Sequence, residues 1–230
     1  EFAAAGAPKE ILYLAKPHIG TDKLRLVVKN IRQKILSLGG EYRFNSRLSG
    51  LVIKNDKLIA VKVTNESETY ELPVNKLFLA VGHSARDTFE MLYNSGVHLE
   101  QKPFSVGARI EHLQTDIDRA LYGKFTGHPA LPPAEYQLSY HEGGRGVYTF
   151  CMCPGGYVVA SASAPGTVVT NGMSYYDRAG KNANSAVLVS VSPEDFGGGP
   201  LGGAEFIQRL EQKAYQLGKG GRAPAALTRE

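Results

Sequence analysis

The sequence predicts a mixed α/β protein of the α+β kind, and three observations carry that expectation. Leu24, Val27, Val28, Ile31, Ile35 and Leu38 recur at helical spacing, so Asp22–Leu38 reads as an amphipathic helix. Between Glu41 and Lys76 the apolar period changes to two, the mark of strands with one buried face. From Lys102 onward, short alternating runs are divided by Gly and Pro turns and closed by a second amphipathic segment, Ala204–Leu217.

Taken in order, residues 1–9 read as a disordered leader or linker and Ile11–Ala15 as a short strand stopped by Lys16-Pro17-His18-Ile19-Gly20. Thr21 suits an N-cap, with Asp22 at the positive end of the helix dipole. Gly39-Gly40 ends that helix. Tyr42–Phe44 and Ser49–Lys54 read as strands. Asn55-Asp56 makes a turn, and Lys57–Asn65 and Thr69–Leu72 complete an antiparallel meander. Leu77–Val81 is a continuous apolar run ended by Gly82, which suits a strand buried on both faces of a parallel sheet. A helix at Thr88–Tyr93, a strand at Lys102–Glu111 and a helix at Thr115–Tyr122 follow, then a Gly/Pro-rich loop to Pro133. Glu135–Tyr140, Gly146–Met152, Tyr157–Ala162, Thr167–Asn171 and Ala186–Val191 are the remaining strands. The expected division is a leader at 1–9, a first domain at 10–100, a second at 101–218 and an unstructured tail at 219–230.

Composition narrows the function classes. The 230 residues are 43% hydrophobic and 21% charged with a net charge of +4, an ordinary globular balance. Lys23, Arg25, Lys29, Arg32 and Lys34 fall on the solvent side of one helix, which is a solvated face and not a nucleic-acid footprint. No apolar run approaches the roughly 18 residues of a membrane span. The two cysteines stand one residue apart and form no disulfide framework, which points to a reducing cytoplasmic setting. EFAAAGAP lacks an initiator Met and reads as a cloning-derived leader on part of a longer protein.

Several long strings occur in order: KPHIGTDKL at 16–24, AVGHSARDTFEML at 80–92, FSVGARIEH at 104–112, FCMCPGGYVV at 150–159 and TNGMSYYDRAGKNANSA at 170–186. Together they resemble a family of uncharacterised bacterial FAD-dependent dehydrogenases, relatives of the two-dinucleotide-binding-domain flavoproteins. In that family the strand end before Gly82 resembles an ATG motif, with Val81 in place of Thr, and lies beside the FAD. The resemblance implies a partial FAD-binding sheet carrying the meander, followed by a strand-rich substrate domain. It places cofactor contacts at Leu48 and at Ala80, Val81, Gly82 and His83. It implies flavin-mediated hydride transfer, from reduced nicotinamide to an unknown small molecule. The family's Gly-rich pyrophosphate fingerprint has no counterpart here. The chain therefore reads as a central fragment, with weak or absent FAD binding and no turnover of its own.

Other residues offer alternatives. Gly197, Gly199 and Gly202 satisfy GxGxxG, but Pro200 and the distance from the preceding strand make a surface loop the expectation. Cys151 and Cys153 would share one strand face, either as small packed residues or as a thiol-redox pair, and the Pro154-Gly155-Gly156 turn would admit a ligand. No ligand set for a metal is apparent. Arg178, Asn182 and Asn184 read as a polar loop, at the surface or lining a pocket. Arg109 and Glu111 share a strand face, as a structural ion pair or as contacts to an acidic substrate. A stand-alone ligand-binding or interaction module is the rival to the flavoprotein reading. Uncovered sheet edges would favour self-association.

Overall fold

The computed structural model describes residues 1–220 and 222–225. Helix α1 (Thr21–Ser37) forms where the apolar spacing places it and ends at Gly39, whose φ is +84°. Its N-cap is Gly20, not Thr21; the Thr21 hydroxyl instead donates to the Ser174 carbonyl at 3.3 Å. Of the apolar stripe only Val27 is fully buried, beneath Ala5 and Ala7, with Ile11, Ile19 and Ile31 around it. The leader is thus ordered: Asn30 donates to the Ala5 carbonyl at 2.9 Å, and Lys34 pairs with Glu1 at 2.7 Å. Leu24, Val28, Ile35 and Leu38 remain exposed. Ile11–Ala15 is not a strand. Lys9–Leu12 forms a 3-10 turn, since no neighbouring strand offers that segment a hydrogen-bond ladder.

The meander is present as a three-stranded antiparallel sheet of β1 (Arg47–Lys54), β2 (Lys57–Thr64) and β3 (Thr69–Pro73). Asn55 and Asp56 both take positive φ, the hairpin geometry that matches strand twist. Central β2 buries Ala60, Val61 and Val63. Tyr42–Phe44 does not join the sheet; β1 pairs only with β2, and a turn through Asn45 separates the two segments.

Leu77–Val81 is where expectation and structure part. The run is irregular, and Phe78 is 90% exposed. A strand buried on both faces needs a neighbour on each side, and every ladder among the described residues is antiparallel and built from other segments. Helix α2 (Arg86–Asn94) follows and rests on β1, where Arg47 pairs with Asp87 at 3.5 Å.

The second half is strand-rich as expected. A four-stranded antiparallel sheet runs in the order β4 (Phe104–Leu113), β9 (Asn182–Val191), β6 (Arg145–Cys153), β5 (Ser139–Glu142). The hairpin of β7 (Tyr157–Ser161) and β8 (Val169–Met173) touches β4, β6 and β9. Asn182 and Asn184 therefore sit on a strand, where Glu111 and His112 pair with Asn184 and Ala183, and not in a loop. Helix α3 (Gln114–Tyr122) continues from β4, and a short α4 (Pro193–Phe196) is held by a Ser192–Asp195 capping box. Helix α5 (Gly202–Leu217) packs Phe206 against Phe104 and Phe196. Its Glu211 makes a buried 2.7 Å ion pair with Arg86, joining α5 to α2. The GxGxxG loop turns its carbonyls inward: Gly197, Gly198 and Gly199 all accept from the Gln101 side-chain amide. Of the tail, Lys219 and Gly220 fold back on the end of α5, and residues 221 and 226–230 lie outside the described set.

Candidate functional site

A cavity of about 600 Å³ opens between the segment Lys16–Thr21, the stretch Glu135–Gln137, the end of β6 through Pro154, the end of β8 and Arg178. That volume lies in the range of small-molecule pockets, roughly 300–1,000 Å³. Three of the sequence strings singled out above meet in its wall: KPHIGT, the Cys151–Pro154 turn, and the segment from Gly172 to Arg178.

Direct bonds between residues some 150 positions apart hold the wall together. The Thr21 amide donates to the Ser174 carbonyl at 3.2 Å, His18 Nε2 to the Tyr175 carbonyl at 2.9 Å, and the Tyr176 amide to Asp22 at 2.9 Å. Lys23 Nζ stands 3.1 Å from the Tyr176 ring centroid. A side chain at Gly20 would collide with the Tyr176 backbone, so this seam needs a glycine. On the opposite side Gly155, at φ +55°, lets its backbone lie against that of Arg178, and the Gly180 amide donates to the Gly155 carbonyl at 3.1 Å. Gln114 fixes the same turn by accepting from the Gly155 amide at 2.9 Å. Pro154 beside it is fully buried.

The cysteines stand at a bulge. The β6–β9 register slips between Phe150 and Cys153, and Cys151 takes φ +49°. Cys151 is exposed and Cys153 buried, both as free thiols, so they do not share one environment. Burial and the neighbouring Cys151 thiol push the Cys153 thiol up, against the pull of Arg109. Arg109 and Glu111 make no ion pair with each other. Arg109 donates to Asn184 Oδ1 at 2.6 Å and to the Cys151 carbonyl at 3.3 Å. Glu111 accepts from Asn182 at 2.7 Å and from the Val158 amide at 3.2 Å. Both side chains tie the β7–β8 hairpin and the β6 bulge to the main sheet.

Tyr136 lines the cavity and shares a 2.7 Å hydrogen bond with His112 Nε2, whose Nδ1 is buried without a partner. Burial raises the Tyr136 phenol above its ordinary range. The 24-residue separation of this pair leaves no local pattern to read.

Leu48, Ala80, Val81, Gly82 and His83 do not line the cavity. Leu48 is half-buried on β1, near α2 through the Arg47–Asp87 pair, and the other four are exposed. Among the described residues no group of three or more His, Cys, Asp or Glu stands poised for a metal.

The described helix starts do not fit the FAD pyrophosphate. Such a group needs free amides at a helix N-terminus. The first amide of α1 is taken by Ser174 and that of α3 by the Lys181 carbonyl. Asp22, Asp87, Asp116 and Glu205 place a negative charge in the first turn of α1, α2, α3 and α5.

Comparison with known proteins bears on the same residues. A family model described as "FAD-dependent protein, C-terminal domain-like" matches residues 103–230. An uncharacterized protein of Clostridium beijerinckii is 51% identical over 231 residues, an alignment that covers 99% of this chain and 43% of that protein. The chain thus spans less than half the length of that relative. With β4, the Cys151–Gly156 turn, the β7–β8 hairpin and Arg178 all inside the matched span, this chain belongs to the FAD-dependent protein family, C-terminal domain-like.

Proposed function

We propose that this chain is one part of a longer FAD-dependent oxidoreductase, and that its cavity shapes the site where a small molecule reacts with the flavin. One observation carries the reading. In a chain of an FAD-dependent family, three separated sequence strings converge on one pocket of ligand size. The flavin would supply a hydride acceptor and donor between reduced nicotinamide and the substrate. This chain's residues would shape the pocket and exclude water. The pyrophosphate would be held by polypeptide beyond the residues described here, which is why the chain by itself should bind FAD weakly and turn nothing over. Leu48 and the Ala80–His83 turn would meet the cofactor only once that polypeptide covers them.

The test is a chimera in which this chain replaces its 51%-identical counterpart in the Clostridium beijerinckii protein. The chimera should keep flavin absorbance in proportion to protein through gel filtration, whereas the chain alone should lose added FAD. A colourless chimera beside a colourless parent would end the flavoprotein reading. Stoichiometric FAD on the isolated chain would overturn the division of labour.

A further inference from the structure

We infer that the cavity receives an anionic small molecule whose carboxylate or phosphate pairs with Arg178; this rests on reading the cavity as a ligand site. Arg178 is half-buried in the wall, and its Nε is enclosed with no hydrogen-bond partner. Its guanidinium makes no hydrogen bond or ion pair with any described residue. The nearby charges are engaged elsewhere. Lys16 is paired with Glu135 at 3.6 Å, Asp22 accepts from the Tyr176 amide, and Asp177 accepts from the Ala179 amide at 3.2 Å. His18 donates to the Tyr175 carbonyl.

An enclosed N–H donor without an acceptor is costly, and a ligand anion bonded to Nε would remove that cost. The placement of Arg178 does not depend on its side chain. Its own amide donates to the Tyr175 carbonyl at 3.2 Å, its φ is +51°, and its backbone is pressed against Gly155. The Arg178 backbone is thus fixed before any ligand arrives, so only the side chain is left to order on binding. Its planar fork matches the two oxygens of a carboxylate or phosphate.

The 230-residue chain should be titrated calorimetrically at low salt with succinate, inorganic phosphate and, as an uncharged control, succinamide. Saturable one-to-one binding of succinate or phosphate is expected, and whichever binds more tightly identifies a substrate carboxylate or a phosphate as the source. Arg178→Met should weaken that binding between about tenfold and a hundredfold. Arg178→Lys should lose less, and Arg25→Met, on the exposed face of α1, should lose nothing. A melting curve on each variant checks that the fold is kept. No saturable binding at millimolar anion, or binding indifferent to Arg178→Met, would overturn the proposal. A chimera carrying Arg178→Met separates this idea from the flavoprotein reading. It should stay yellow if only the anion contact is lost. A colourless wild-type chimera beside a colourless parent, with intact anion binding by the chain, would sink the flavoprotein reading alone.

Discussion

The wall of the cavity and the run Leu77–His83 both punctuate their strings with glycine, yet the chain treats them in opposite ways. Around the cavity, the Ser174 carbonyl, the Tyr175 carbonyl and the Tyr176 amide are each bonded to a backbone or side-chain group of His18, Thr21 or Asp22, 153 or more positions away. Along the run, Phe78 is 90% exposed, and Leu79 and Val81 are 44% and 43% exposed, with no strand among the described residues paired to them. The difference is one of partners, not of composition. A turn or strand becomes ordered structure only where another segment of the same chain satisfies its backbone and covers its side chains.

The largest effect is expected where the bare run ends. Arg86, just after it, is 12% exposed and its partner Glu211 5%, at 2.7 Å, with Ser163 also donating to Glu211. Glu211→Gln strands a buried guanidinium whose Nη1 already lacks an acceptor, and should cost about 3–5 kcal/mol by urea unfolding. Replacing both partners with apolar residues, Arg86→Met with Glu211→Leu, should recover most of that loss. A single-variant loss near zero would mean that the pair is open to water and that the run is bare at both ends.

Next in size is a pair of glycine substitutions that tests the comparison directly. Gly155 and Gly82 both have positive φ, +55° and +71°. A Cβ at Gly155 would drive into the Arg178 backbone, while at Gly82 it would meet nothing within 4 Å. Gly82→Ala should therefore cost only the left-handed penalty, about 1–2 kcal/mol, and lower Tm by roughly 2–8 °C. Gly155→Ala should lower Tm by roughly 10 °C or more, because the Arg178 loop must also move. Equal losses in thermal melts followed by circular dichroism would show that the cavity wall yields as easily as open surface.

How much of this was legible depends on whether a signal is local. The meander could be read because Asn55-Asp56 and the alternation on either side of it lie within one short stretch. Helix α1 could be read from its own spacing, but not the fact that most of its stripe stays uncovered. Leu77–Val81 misleads because a short apolar run says nothing about whether strands exist to flank it. Arg178 was legible as a polar loop residue, whereas Asn184 proved to be a fully buried strand residue holding Arg109. The Thr21–Ser174 seam and the Tyr136–His112 pair depend on how the sheet folds, and no spacing announces either one.

The smallest expected change in stability carries the most information about the bare region. Phe78 and Leu79 contribute little to this fold while they face water, so Phe78→Ser with Leu79→Ser should alter unfolding by less than about 0.5 kcal/mol. Their exposure should show in solution instead. Leu38 and Phe44 are also open, at 77% and 67%, and β1 and β3 present edges with no strand partner among the described residues. Surfaces and edges of this kind associate. Sedimentation of the wild-type chain should therefore depend on concentration, and the double variant should shift the distribution toward monomer. A wild-type chain that stays monomeric at every concentration would mean that the exposed apolar side chains are too dispersed to act as a patch. Association unchanged by the double variant would move the contact to the edges of the meander, where charges placed on β3 become the sharper test.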